Sequence, residues 1–209
     1  MKAFKIITTL LLILALAISF SACGREKFNE EFENQTENGV EKKMENTYVK
    51  ITMEDDREII LETLPEYAPM SVEFFLELVE DKYYDGLVFH RAVEGFMIQG
   101  GCPNGDGIGG AGRTVKGEFA SNGIENKLSH KRGIVSFART NVKDSASGQF
   151  FIMHGDATYL DGDYAAFGRV VEGMEVVDKI ATSPVSGESL IDKPVMKSVK
   201  ILKKYKPKG

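Results

Sequence analysis

The stretch VFHRAVEGFMIQGG, which covers residues 88–101, decides the fold because it predicts a β-strand, a tight turn and a second strand. Within its two predicted strands, His90, Arg91 and Gln99 stand among apolar residues. A core strand gains nothing from an unpaired guanidinium, since burying a charge is costly. Arg91 therefore lies either on the solvent face of a half-exposed strand or at a functional site.

The residues around this stretch predict many short strands and two helices that are far apart in the chain. The predicted strands cover residues 48–53, 58–64, 134–138, 150–153, 165–171 and 195–202, and the helices cover 71–79, with Ser71 as N-cap, and 174–180 after Gly173. Residues 100–117 are rich in glycine and predict a long loop. Because strands and helices do not alternate regularly, we expect a mainly β protein whose antiparallel sheet closes into a barrel covered by helices.

The N-terminal residues predict an export segment rather than part of the domain. Lys2 and Lys5 precede an apolar run over residues 6–20, followed by small residues and Cys23. This ending resembles the lipobox of bacterial lipoproteins, although Phe20 stands where that motif usually has leucine. We expect a signal peptide over 1–22, a lipidated Cys23, an acidic flexible tether over 23–46 and a folded domain over 47–209. An uncleaved membrane anchor is the alternative.

Composition argues against several classes of function. The net charge of −5 disfavours a nucleic-acid partner, because phosphate binding needs a basic face. With Cys23 lipidated, Cys102 has no partner for an intramolecular disulfide. Two cysteines and three scattered histidines do not form a structural zinc site. We therefore expect neither a metal nor a cofactor.

Two familiar sequence motifs, one for dinucleotide binding and one for serine hydrolases, find no support in this sequence. Residues 105–110, GDGIGG, match the dinucleotide pattern GxGxxG, but the glycine-rich segment that follows does not predict the helix that this site needs. No serine lies in a GxSxG motif. Hydrolase and dinucleotide chemistry therefore have little support.

Strand alternation sorts the polar residues onto faces. Gln149, Phe151 and Met153 share one face of their strand, while Phe150 and Ile152 share the other. Arg91 could join Gln149 and Phe151 on one surface, which would combine a cation, an amide and an aromatic ring.

Four blocks in order resemble the cyclophilin-type peptidyl-prolyl cis-trans isomerases. The blocks are FHRAVEGFMIQGG (89–101), SFART (136–140), SGQFFIM (147–153) and YLDGDYAAFGRV (159–170). The resemblance extends from about Thr47 to Lys204, and the ART form with Tyr164 resembles bacterial members. It implies a closed eight-stranded antiparallel β-barrel capped by two α-helices.

The resemblance also implies a set of site residues. The catalytic residues would be Arg91, Phe96, Gln99 and Phe151, and the substrate-binding residues Met97, Ala138, Arg139, Gln149, Tyr159, Leu160 and Tyr164. Phe96, Met97, Phe151 and Leu160 would line a socket for proline, while His90 would be structural. Tyr159 stands where eukaryotic members have a tryptophan that helps to bind cyclosporin, so we expect weak inhibition by that compound.

The implied function is peptidyl-prolyl cis-trans isomerisation. Rotation about an Xaa-Pro bond is slow because of its partial double-bond character, and catalysis requires stronger binding of the twisted amide than of the planar one. We expect a membrane-anchored monomer that accelerates the folding of exported proteins outside the cytoplasmic membrane. The alternatives are a non-catalytic module that binds peptides or a partner protein at the cell surface, and a structural lipoprotein with an incidental pocket.

Overall fold

The computed structural model describes residues 44–206. The strands are β1 (Tyr48–Met53), β2 (Glu58–Thr63), β3 (Val88–Val93), β4 (Met97–Cys102), β5 (Ile134–Phe137), β6 (Phe150–Met153), β7 (Ala166–Glu172), β8 (Val185–Ser186), β9 (Ser189–Leu190) and β10 (Met196–Leu202). The helices are α1 (Pro69–Glu80) and α2 (Met174–Ala181), with 3-10 turns at Ala120–Asn122 and Thr158–Leu160. In this part of the chain no helix has both the length and the apolar character of a membrane span. The predicted signal peptide, Cys23 and most of the tether lie outside the described residues.

All strands belong to one antiparallel sheet. Its order is β10-β1-β2-β7-β5-β6-β4-β3-β9-β8. This mainly β architecture with two helices confirms the predicted fold class. Along β1, Val49, Ile51 and Met53 are buried and alternate with more accessible residues, as expected for a strand with one face on the core.

The expected closed barrel of eight strands is not confirmed. The sheet has ten strands, with β10 and β8 at its two ends. The cause lies at β3, whose outer edge is divided between two partners. Val88 forms an isolated bridge with Val195, just before β10, while Arg91 pairs with Ser189 of β9. The small β8–β9 hairpin was missed by the sequence analysis, because strands of two residues carry no detectable alternation.

The two faces of the sheet pack into two separate apolar clusters. The larger core includes α1 and an aromatic group in which Phe75 contacts the rings of Phe137, Phe150 and Phe167. The smaller cluster lies on the other face and includes Phe151. Alternation along β6 therefore sends Phe150 and Ile152 to one cluster and Phe151 and Met153 to the other, which confirms the predicted faces.

Helix α1 begins two residues earlier than predicted, and Ser71 is not its N-cap. Pro69 occupies the start of the helix and Ala68 the cap position, because proline has the backbone angle of a first turn and needs no N–H partner there. The backbone N–H groups of Met70 and Ser71 instead donate to the carboxylate of Glu118. A distant acidic side chain therefore replaces the predicted local cap.

Helix α2 begins after Gly173, as predicted. Gly173 has a φ of +90°, and a Cβ atom at this position would lie 2.2 Å from the Glu58 carbonyl oxygen. Only glycine fits this close approach of two backbones. Val176, Val177 and Ile180 then bury one side of the helix against the sheet.

Candidate active site

A shift in strand register places Arg91 on the outer face of the sheet. Phe89 pairs with Gly100 and Arg91 pairs with Gln99, so His90 is an extra residue in β3, as in a β-bulge. Simple alternation would put Phe89 and Arg91 on the same face. The extra residue instead allows Phe89 to enter the core while Arg91 joins Gln99 on the opposite surface.

Arg91, Gln99 and Phe151 form a row across three neighbouring strands. Gln99 of β4 is in register with Arg91 of β3 on one side and with Phe151 of β6 on the other. Directly opposed residues of antiparallel strands have close side chains. The sheet therefore brings together a cation, an amide and an aromatic ring from three segments of the chain.

A chain of hydrogen bonds orders the polar end of this row. Arg91 Nη1 donates to Gln99 Oε1 over 3.0 Å, and Gln99 Nε2 donates to Gln149 Oε1 over 2.9 Å. Gln149 Nε2 in turn donates to the carbonyl oxygens of Gly107 and Gly109. The glycine-rich loop thereby fixes Gln149, which in turn holds the Gln99 amide that contacts the guanidinium.

Beside this chain lies a cavity of about 200 Å³, the first cavity. Its lining residues are Arg91, Phe96, Met97, Gln99, Ala138, Arg139, Phe151, Leu160 and Tyr164. All four residues that the resemblance implies as catalytic are among them. The cavity has an apolar floor with Arg91 and Gln99 at one side, and the buried rings and thioether leave space for a small apolar group.

A second cavity of about 330 Å³ adjoins the first. The two share Gln99, Ala138 and Arg139, and the second extends to Gln149 and to the loop around Ile108. Ile108 is 72% exposed, so this cavity opens to solvent beside an apolar side chain. The two cavities form a continuous groove suited to an extended chain.

Arg139 lines both cavities and is held in place by its neighbours. Its guanidinium lies 4.7 Å from the ring centroid of Tyr164 and 5.1 Å from that of Phe119. Nε also donates to the carbonyl oxygen of Asp163. Stacking between two rings and hydrogen bonding to backbone hold this cation in one orientation.

Tyr159 differs from the other implied residues in its position. It lines neither cavity, is 72% exposed, and stacks on Phe96 with a centroid distance of 6.0 Å. Its ring therefore extends the apolar surface of the groove outward from Phe96.

The sequence analysis missed a buried network under Phe151. The imidazole of His130 stacks on the Phe151 ring, with Nδ1 2.8 Å from Asp161 Oδ1 and Nε2 3.1 Å from Ser136 Oγ. Burial lowers the pKa of His130, although the carboxylate of Asp161 opposes this. A neutral ring that donates from Nδ1 and accepts from the Ser136 hydroxyl satisfies both contacts. Ser136 lies opposite Phe151 in the sheet and close to His130 in the chain, but Asp161 lies 31 residues after His130, so no local pattern indicates the network.

His90 lies apart from both cavities, as expected for a structural residue. It is 4% exposed, and neither ring nitrogen has a hydrogen-bond partner among the described residues. Burial lowers its pKa, and the charges of Lys193 and Arg91 lower it further. Within residues 44–206 no three histidine, cysteine or acidic side chains are grouped so as to hold a metal ion.

This geometry can hold an apolar ring and donate hydrogen bonds to a polar group attached to it. The first cavity offers the apolar side chains of its floor to a ring, while Arg91 presents a permanent charge at the side. A fixed guanidinium stabilises charge that develops on a bound amide without reorganising. The site therefore suits an amide next to a ring.

Comparisons with known proteins agree with this geometry. The family model described as cyclophilin type peptidyl-prolyl cis-trans isomerase/CLD matches residues 48–205. Peptidyl-prolyl cis-trans isomerase B of Bacillus subtilis is 39% identical over 140 residues, which cover 67% of this chain and 94% of that protein.

Two crystal structures of a cyclophilin type peptidyl-prolyl cis-trans isomerase of Cryptosporidium parvum are similar in fold. One has a TM-score of 0.70 at 28% identity and covers 77% of this chain and 100% of that one. The other, determined in the presence of the dipeptide Ala-Pro, has a TM-score of 0.67 at 30% identity and covers 75% and 99%. On the sequence match, the fold and the site together, the chain belongs to the cyclophilin-type peptidyl-prolyl cis-trans isomerases and is an enzyme of that class.

Proposed function

We propose that the first cavity receives the proline ring of an Xaa-Pro bond and that Arg91 is the catalytic donor. The observation that carries this assignment is the row of Arg91, Gln99 and Phe151 along the cavity. The similar structure determined with Ala-Pro supports proline-containing peptides as substrates.

The physical task is to favour the twisted amide. The planar bond is stabilised by resonance, and its rotation barrier is about 18–20 kcal/mol. At the twisted state this resonance is lost and the lone pair returns to the prolyl nitrogen, which becomes a better hydrogen-bond acceptor. A donor that meets this nitrogen only in the twisted state lowers the barrier, since catalysis requires differential binding. In this proposal the guanidinium of Arg91 is that donor.

The other site residues hold the substrate around the rotating bond. The proline ring is held in place by four apolar side chains, those of Phe96, Met97, Phe151 and Leu160. Rotation therefore moves the peptide on only one side of the bond. Gln99 keeps the guanidinium in place and offers its own polar group to the peptide. The second cavity, bordered by Ala138, Arg139 and Gln149, receives the residues before proline.

We further propose that the enzyme works outside the cytoplasmic membrane on exported proteins. The support is the N-terminal sequence: the positive start, the short apolar run and Cys23 after two small residues. In this proposal residues 1–22 are a signal peptide, Cys23 carries the lipid and the acidic segment up to residue 46 is a tether. Mass spectrometry of the mature N-terminus tests it, with Cys23→Ser as control.

Isomerisation of a short Xaa-Pro peptide by the full-length protein tests the catalytic assignment. We expect Arg91→Ala to lower kcat/KM by about 100-fold, the loss that follows removal of one transition-state donor. Arg113→Ala is the matched control, because Arg113 is also partly exposed and ion-paired but lies outside the site. An Arg91→Ala variant with full activity would refute the role of Arg91. If the unmodified protein and the Arg91→Ala variant are both inactive but bind the peptide tightly, the result would favour the alternative of a non-catalytic peptide-binding module.

A further inference from the structure

A carboxylate from the β8–β9 hairpin contacts the guanidinium proposed as catalytic. Arg91 Nε donates to Glu188 Oε2 over 2.7 Å. Arg91 is therefore held at two of its nitrogens, by Glu188 at Nε and by Gln99 at Nη1, which also lies 3.7 Å from the weak acceptor Met97 Sδ. Among the described residues, no hydrogen bond involves Nη2.

The backbone fixes where this carboxylate lies. Ser189, the neighbour of Glu188, pairs with Arg91, and the N–H of Ala92 donates to the Glu188 carbonyl oxygen over 3.0 Å. Gly187 allows the tight turn through its φ of +66°. A main-chain bond to Ala92 and the pairing of its neighbour Ser189 thus hold Glu188 next to the arginine, even though its side chain is 58% exposed.

Two contacts constrain the guanidinium more than one does. Arginine has a long flexible side chain, but its five N–H donors lie in one rigid plane. The contacts at Nη1 alone, to Gln99 and weakly to the sulfur of Met97, would hold only one end of this plane. A second contact at Nε fixes the plane, and the remaining N–H groups then have a defined direction relative to the first cavity.

We propose that Glu188 is a positioning residue for the isomerase reaction, acting through Arg91. This inference rests on the proposed role of Arg91 as catalytic donor. Glu188 need not touch the substrate: it fixes the plane of the guanidinium before the substrate arrives, so less ordering is required when the amide twists.

The test compares kcat and KM of Glu188→Ala and Glu188→Gln in the full-length protein. We expect Glu188→Ala to lower kcat by about five- to tenfold while KM changes less than about twofold, because an ordering effect acts mainly on the transition state. Glu188→Gln should recover most of this loss, since its amide oxygen still accepts from Nε. Glu94→Ala, which removes an exposed carboxylate from the neighbouring β3–β4 turn, is the matched control and should keep its activity.

A double-mutant cycle separates positioning from a structural effect. In an Arg91→Ala background, Glu188→Ala should cause no further loss, because its target is gone. A similar loss in both backgrounds would overturn the proposal. If Arg91→Ala is impaired but Glu188→Ala is fully active, the positioning role alone fails. If Arg91→Ala is itself fully active, the proposed function of Arg91 fails and the positioning role fails with it. Circular dichroism verifies that each variant is folded.

Discussion

Glu118 caps helix α1 through Ser71, which lies 47 residues earlier in the chain. One oxygen of the buried carboxylate accepts hydrogen bonds from both the N–H and the hydroxyl group of Ser71, at 2.7 and 2.6 Å. The other accepts from the N–H of Met70. The first turn of α1 and the loop before the first 3-10 turn are thus joined by one side chain, and the partial positive charge of the helix start favours an anion there.

Removal of this carboxylate should destabilise the domain. We expect Glu118→Ala to lower the free energy of unfolding by about 2–4 kcal/mol, because the N–H and hydroxyl of buried Ser71 and the N–H of Met70 would lose their acceptor. Urea unfolding measures the change. Glu125→Ala is the matched control, since the Glu125 side chain is 75% exposed and pairs only with an exposed lysine. Equal stability of the two variants would contradict the capping role.

Gln99 should matter for turnover because it holds Arg91. We expect Gln99→Ala to lower kcat/KM by about tenfold, the effect of losing one hydrogen bond of about 1.4 kcal/mol to a charged group.

Gln149→Ala should mainly raise KM, since Gln149 borders the second cavity and braces the loop at Gly107 and Gly109. Steady-state kinetics with one Xaa-Pro peptide distinguish these results. Unchanged kinetics of Gln99→Ala would refute the proposal that Gln99 holds Arg91 in place for turnover.

The free energy of unfolding should decrease as the pH is lowered from neutral to mildly acidic. The pKa values of His130 and His90 are lowered from 6.5, first of all by burial. A group with a lower pKa in the folded state binds fewer protons there than in the unfolded chain, so its stabilising effect is present above 6.5 and is lost as the pH falls toward its folded pKa.

Urea midpoints at about pH 7.5 and about pH 5 test this linkage. The midpoint should be lower at the acidic pH, and His130→Gln should reduce the difference. Asp161 does not explain such a change, because its pKa lies below 3.8: burial raises it, but hydrogen bonds from Ser129 and His130 lower it by more. Identical midpoints for the unmodified protein would contradict the prediction.

Cyclosporin should inhibit this enzyme weakly, and Tyr159→Trp should strengthen the inhibition. Tyr159 already stacks on Phe96 at the edge of the groove, so a larger ring at the same position adds apolar contact area. The measurement is inhibition of peptide isomerisation by increasing cyclosporin. Nanomolar inhibition of the unmodified enzyme would show that tyrosine serves as well as tryptophan.

The sequence predicted most of the strands but not the contacts that orient the side chains of the site. The bounds of β1 and β6 and the two faces of β6 follow from alternation, which is local. The extra residue at His90 breaks the regular alternation that a strand pattern assumes, and the acid that caps α1 lies 47 residues from Ser71, so no local pattern reveals either of them. The resemblance led to every lining residue of the first cavity, but it did not indicate Glu188 or the His130 network.

Two successive residues of one strand have separate tasks. Phe150 belongs to the aromatic core and Phe151 to the floor of the first cavity. Packing of the core and shape of the cavity therefore depend on alternate positions of the same short segment. A substitution at residue 151 changes the lining of the first cavity while residues 150 and 152 keep the core intact. Evolution or protein engineering can thus change the lining of the cavity at this strand without repacking the core.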